Sequence, residues 1–356
     1  MIDDIFVFDN VIHVYDFSDE NSKLDKPETH AWRNHWQKSV RRTRWEEGPI
    51  GKFTPDYGWL RRISTDDMYE MEFVLSPVDM AMAHAVPVFD WFKNGLSPLN
   101  AQHAFVTAHP ERTMLCGAVD PIHHGVHGAM EEMERQVVEL GARSFKFYNG
   151  HIDVSWRCDD RDIAYPLYEK AASLGIEVLQ FHKGLPFGQW DLDALRPVDL
   201  QRPANDFPEL KFVIHHLAMP YFDEAQSIAS RFPNVYLALS GVLSMVKVAP
   251  RLVQEQLGKL LQHVGPDKLL WGSEAAMTGP PGPFLQQFMK LEIPHELRDG
   301  YGYPQITLDD KRKILGLNMA RLFHVDVEAK KAELGLIPQP SGNGHAPSAT
   351  AVGTER

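Results

Sequence analysis

Cysteine is nearly missing from this chain of 356 residues; Cys116 and Cys158 are the two. Two thiols argue against a disulfide framework and fit a reducing, cytoplasmic compartment. No run of about 18 apolar residues occurs, so nothing in the sequence is long and apolar enough to span a bilayer. An excess of positive charge is also absent. Lys and Arg number 36 against 48 Asp and Glu, a net charge of −12. That balance argues against a nucleic-acid binder, which needs a basic face, and against an electrostatic membrane anchor. The start, Met1-Ile2-Asp3-Asp4, is acidic where a secretion signal would be basic. No phosphate-cradling glycine loop and no Cys-x-x-Cys is present. Histidine, by contrast, is plentiful, with 17 copies. Any metal bound here must therefore take imidazole and carboxylate ligands, not thiolate.

Short apolar runs recur along the chain, each ended by polar residues or glycine. They are Ile5–Phe8, Met114–Val119, Ser144–Tyr148, Glu177–Phe181, Lys211–Ile214, Val235–Leu239 and Lys268–Trp271, with a weaker run near Val78–Met82. Such runs read as strands buried on both faces. Between them lie apolar stripes at helical spacing, as in 128–140, 163–174, 222–231 and 251–264. Strands alternating with helices indicate βα units and a parallel sheet. About eight repeats predict an α/β fold, a (β/α)8 TIM barrel with an insertion after strand 1, over residues 1–330. A doubly wound sheet is the competing architecture. It usually carries a glycine-rich turn after its first strand, and Phe8–Ile12 has none.

Two segments break the rhythm. Residues 14–64 hold Trp32, Trp36, Trp45 and Trp59 with Arg33, Arg41, Arg42, Arg44, Arg61 and Arg62. Inserted at the C-terminal end of a barrel strand, they would lie over the mouth. There they could hold a substrate carboxylate or form an oligomer interface, for which Trp and Arg serve equally. Residues 337–356, rich in Pro, Gly, Ser and Ala, read as a disordered tail.

The histidines fall at strand ends. His13, His182, His215, His216 and Glu274 each follow the C-terminal end of an expected strand, and in a parallel barrel those ends converge. One such histidine is most often a hydrogen-bonded core residue; four on three strands, with an acid, suggest a metal site. Other groups are weaker. His123-His124, Asp79 and His84 suit structural or surrounding roles, and Met68, Met71, Met80 and Met82 suit core and mouth lining. Cys116 reads as a buried small hydrophobe. Ser244-Met245-Val246-Lys247 has the Ser-x-x-Lys spacing without a supporting motif.

The order of motifs resembles the amidohydrolase superfamily, in the branch of aromatic-acid decarboxylases and amidohydrolase-related hydrolases. The matching elements are Asp9-x-x-x-His13, the strand-5 His182, His216-Leu217, and Leu269-Leu270-Trp271-Gly272-Ser273-Glu274. Ala108–Arg112, Tyr165–Ala171 and Asn318–Phe323 extend the resemblance over residues 4–325. It implies His13 and His182 as metal ligands, His216 as ligand or acid/base, and Glu274 as ligand and catalytic acid. The metal implied is divalent, zinc first, with iron or manganese as alternatives. Lys146, at the end of strand 4, corresponds to a substrate-binding or structural lysine, with Arg44 and Trp59 as further substrate-binding candidates. Two positions depart from the pattern. Val11 replaces the first strand-1 histidine, and Glu274 replaces an aspartate.

The expected activity is hydrolysis or decarboxylation of a small, possibly aromatic, carboxylic acid. The alternatives are a di-iron-type oxygen-dependent hydroxylase on the same barrel, or a non-catalytic partner subunit of one. Assembly with itself or with an amidohydrolase-like subunit is expected from the resemblance.

Overall fold

In the computed structural model, residues 1–42, 49–54 and 58–337 are described, with side chains of the helix Pro27–Arg42 described to residue 34. The expected tail beyond residue 337 and Arg44 lie outside these residues. Eight strands follow one another in sequence order as hydrogen-bonded neighbours, and every pairing is parallel. They are β1 (Phe8–Ile12), β2 (Met80–His84), β3 (Thr113–Gly117), β4 (Ser144–Tyr148), β5 (Val178–His182), β6 (Lys211–Ile214), β7 (Val235–Ala238) and β8 (Leu269–Leu270). Beyond β8 the chain returns to β1. Ile12 bridges Ala275, and the Asn10 N–H donates to the Trp271 carbonyl at 3.2 Å. The sheet is thereby nearly closed, and the fold is the (β/α)8 TIM barrel read from the sequence.

Apolar strand residues make this architecture the economical one, because both faces of each strand are covered. Phe8, Met80, Met82, Cys116, Val178, Val213, Ala238 and Leu270 form an inner cluster, and Met319, Leu322 and Phe323 pack against it. A larger outer cluster joins the other strand face to the surrounding helices, including Pro121–Val138, Ala164–Ser173, Phe222–Arg231 and Pro250–His263. Met68, Met71, Met80 and Met82 are all buried.

Strand 1 differs from its reading. It runs over Phe8–Ile12, three residues beyond the expected start, because its middle carries buried Asp9 and Asn10. Asp9 Oδ1 accepts the Val11 and Ser273 N–H groups, which makes a polar side chain part of the β1–β8 seam. The insertion after β1 carries secondary structure of its own among the described residues. It contains the helix Pro27–Arg42 and a short turn at Gly58–Arg61. Trp32 from that helix is buried and stacks on Trp91 at 5.4 Å, and Trp91 stacks on Trp190 at 5.8 Å. An aromatic layer thus covers the C-terminal end of the barrel, which in this fold is the end that carries function.

Candidate metal centre

Five buried side chains converge where the strands end: His13, His182, His215, His216 and Glu274. His13 Nε2 lies 3.5 Å from Glu274 Oε2, and His216 Nδ1 lies 3.7 Å from Glu274 Oε1. His216 Nε2 is 3.1 Å from His182 Nδ1. The backbone is forced into this arrangement. His216 and Glu274 both have left-handed φ, 58° and 60°, as do Leu217 and Ala218. Each such non-glycine residue costs on the order of 1–3 kcal/mol and persists only where its surroundings dictate it. Here the Glu274 N–H donates to the Val11 carbonyl, and the His216 N–H to Ser240 Oγ.

Three main-chain carbonyls orient the imidazoles. His13 Nδ1 meets the His84 carbonyl at 2.9 Å, His182 Nε2 the Leu185 carbonyl at 2.9 Å, and His216 Nδ1 the Ser240 carbonyl at 3.2 Å. A carbonyl only accepts, so each of these nitrogens carries the ring proton. The opposite nitrogens are then bare: His13 Nε2 faces Glu274 Oε2, and His182 Nδ1 and His216 Nε2 face each other, while His216 turns its Nδ1 toward Glu274 Oε1. Glu274 Oε1 has no hydrogen-bond partner among the described residues. The cluster therefore gathers more acceptors than donors.

Burial pushes the His182 imidazolium well below the usual histidine range, and that of His216 to about 4, so both rings stay neutral near pH 7. Burial opposes the charge of Glu274, but its neighbours His216 and Lys146 outweigh it and hold the carboxyl well below its ordinary range.

His215 stands apart chemically. A ligand atom of His215 also falls within 4.8 Å of one on His216 and one on Glu274. Yet both its nitrogens are engaged, Nε2 with Gln180 Oε1 at 2.6 Å and Nδ1 with Lys146 Nζ at 3.2 Å and Ser240 Oγ at 3.1 Å. The acceptor-rich set is therefore His13, His182, His216 and Glu274, with His215 holding Lys146 beside it. Val11, where the resemblance expects a histidine, is buried against Gly272; a Cβ on that glycine would come within 2.7 Å of Val11 Cγ1.

The remaining candidates are placed as follows. Lys146 is buried in the cluster, and its Nζ lies 5.5 Å from the Tyr148 ring centroid. Trp59 lies in the insertion, donating its indole N–H to the Thr54 carbonyl and packing edge-on to Phe53. His84, Gln180 and Ser240 were not expected at the site. The carbonyls of His84 and Ser240 orient ligand-type histidines, whereas Gln180 fixes His215. Ser240 lies two residues beyond β7, and that position after a strand end was the only sequence signal. Asp79 is structural, accepting the Val7 N–H at 2.8 Å. Ser244 donates its hydroxyl to the Gly241 carbonyl at 2.6 Å.

Comparison with known proteins agrees with the fold. The chain matches the amidohydrolase family over residues 55–325, and it belongs to that family. A segment of 99 residues is 39% identical to protein fluG of Emericella nidulans, covering 27% of this chain and 11% of that protein's length. An uncharacterised TIM-barrel protein of Bordetella bronchiseptica superposes with a TM-score of 0.66 at 20% identity, covering 90% of this chain and 99% of the other. The 5-carboxyvanillate decarboxylase of Sphingomonas paucimobilis gives 0.55 at 17% identity, over 90% and 98%. A zinc-bound amidohydrolase of Burkholderia multivorans gives 0.56 at 13% identity, over 90% and 99%. Structures this distant in sequence establish a shared fold.

Proposed function

We propose that the chain is a metal-dependent hydrolase or decarboxylase of a small carboxylic acid, with an aromatic acid as the first candidate. The observation that carries this reading is the inward set of bare acceptors on His13, His182, His216 and Glu274. Three imidazole nitrogens and a carboxylate, each held by an outer hydrogen bond or backbone constraint, are the donor types suited to zinc, manganese or iron. A divalent cation held there would supply Lewis-acid polarisation of a carboxylate or carbonyl oxygen and a lowered pKa for water.

The chain's own residues supply the rest. Lys146 offers a buried N–H donor to a substrate carboxylate, oriented by His215 and Gln180. Tyr148 and Phe187, which stack on the His182 ring at 5.1 and 4.9 Å, form flat walls suited to an aromatic ring. Kinship in fold with decarboxylases and with a zinc-bound amidohydrolase supports both halves of the reading.

Metal analysis of protein purified without added metal, followed by titration with zinc, manganese and iron, tests it. One tightly bound divalent ion per chain is expected, and His182→Ala is expected to lose it while the barrel stays folded. Release of carbon dioxide or of hydrolysis product from a panel of aryl carboxylic acids and their esters then separates the two reactions. A folded barrel that binds none of the three metals, or a His182→Ala variant at full stoichiometry, overturns the reading.

A further inference from the structure

A second histidine cluster lies at the mouth, outside the acceptor set. His151 follows β4, and its side chain is 10% exposed. Its Nδ1 lies 3.6 Å from Asp90 Oδ1, and its Nε2 lies 3.3 Å from Asp120 Oδ1. Asp90 belongs to the segment after β2, and Asp120 caps the helix after β3. The second oxygen of Asp90 accepts the Trp190 indole N–H at 3.1 Å and the Ile152 N–H at 3.3 Å. Trp190 comes from the loop after β5. Its ring lies flat on Gly150, where any Cβ would be 2.5 Å from a ring carbon. Trp190 packs edge-on to Phe187 at 4.9 Å, and Phe187 stacks on His182 at 4.9 Å with the ring planes 16° apart. One imidazole thus ties together the loops that follow four consecutive strands.

We infer that His151 is a positioning residue for the site: bridging Asp90 and Asp120, it seats Trp190 and, through Trp190, presses Phe187 against the His182 ring. The inference rests on the proposed role of His182. The bridge needs a proton on both ring nitrogens, because each faces a carboxylate that only accepts. Burial opposes the charge, but the carboxylates of Asp120 and Asp90 beside the ring outweigh it and raise the His151 pKa to about 9. Charged or titratable groups on the neighbouring segments include His123, His124 and Lys23; burial, then Lys26, lowers the Lys23 pKa while Asp90 acts the other way. His123 stacks on Phe89 at 4.3 Å, His124 Nδ1 bonds the Asp120 carbonyl, and Lys23 Nζ donates to the Phe89 carbonyl. Burial, His124 and Lys23 lower the pKa of His123, with Asp120 acting the other way, so it does not share the transition near pH 9. Loss of the second His151 proton leaves Asp90 or Asp120 facing a bare nitrogen and loosens the seat of Trp190, whose own hydrogen bond to Asp90 stays in place.

The test uses the metal-free full chain and needs no substrate. The His182 Cε1–H resonance, assigned by its loss in His182→Gln, reports the ring current of Phe187. Hydrogen exchange of 185–192, corrected for intrinsic rate, reports the loop. In the wild type both are expected to step near pH 9, with protection of the loop falling at least ~10-fold while β5 and β6 stay protected. His151→Gln is expected to show the open values at every pH and no step. Asp120→Asn keeps the helix cap but removes one anion, and is expected to move the step down by about one pH unit or more. A flat wild-type profile through pH 9, or a step that survives in His151→Gln, overturns the inference. Failure of the metal reading would appear in metal stoichiometry alone and leave these readouts interpretable.

Discussion

His13 Nε2 and Glu274 Oε2 face each other at 3.5 Å across the seam where β8 returns to β1. Both atoms are acceptors, since the His13 proton is committed to the His84 carbonyl. Glu274→Gln replaces the carboxylate with a neutral amide of the same shape. Removing even an outer-sphere partner of a metal ligand lowers affinity about 10–100-fold, so this substitution is expected to lower zinc affinity by more than ~100-fold. Competition calorimetry against a chelator measures it. Affinity within threefold of the wild type would place the cation elsewhere.

Behind the same seam, Asp9 and Glu72 form a buried carboxyl pair. Burial pushes Asp9 to about 7 against the pull of its Ser273 and Val11 hydrogen bonds; burial and Asp9 push Glu72 well above its ordinary value. A folded pKa above the unfolded one means the native state holds the extra proton. Stability is then complete below about pH 4 and falls as pH rises through about 7, with a limiting slope of about 1.4 kcal/mol per pH unit for one group. Asp9→Asn keeps an acceptor oxygen for both N–H groups. Urea unfolding at several pH values between 5 and 8 is expected to show a shallower decline in this variant than in the wild type. Parallel profiles would show that Asp9 does not titrate in that range.

The barrel was legible because most of β2–β8 are apolar runs buried on both faces, and the missing glycine-rich turn after β1 weighed against a doubly wound sheet. The approach of His13, His182, His216 and Glu274 followed from the rule that strand ends converge. What escaped was made in three dimensions. β1 was placed too early because Asp9 and Asn10 look like a strand end yet are buried inside it. The carbonyls of His84, Leu185 and Ser240 carry no side-chain signature, though they decide which nitrogen each histidine presents. His151 stood in a loop read only as the end of β4, and its partners lie 61 and 31 positions away by residue number (151 − 90 and 151 − 120).

Lys183, next to His182, is fully buried and pairs with Asp199 at 2.8 Å. Asp199 outweighs burial and raises its pKa, so the ammonium stays charged. Lys183→Met strands Asp199 as an uncompensated buried anion, which costs about 3–5 kcal/mol. Denaturant unfolding near pH 7 is expected to show that loss, and Lys183→Met combined with Asp199→Asn is expected to recover part of it. A single variant as stable as the wild type would mean that water reaches Asp199.

Lys146 separates metal binding from substrate binding. Its Nζ donates to His215 Nδ1, whose other nitrogen is held by Gln180, so the amine is aimed by a chain of hydrogen bonds that does not include the acceptor set. Burial lowers its pKa while Glu274 acts the other way. Lys146→Met keeps the length and apolar stem but removes the donor. If Lys146 holds the substrate carboxylate, zinc stoichiometry should be unchanged in this variant. Benzoate binding to the zinc-loaded protein should weaken about 10-fold or more, because a charge-assisted hydrogen bond contributes about 1.5–3 kcal/mol. Calorimetry on the loaded wild type and variant measures both quantities. Loss of zinc would make Lys146 part of the metal site itself, and unchanged benzoate affinity would remove it from substrate recognition.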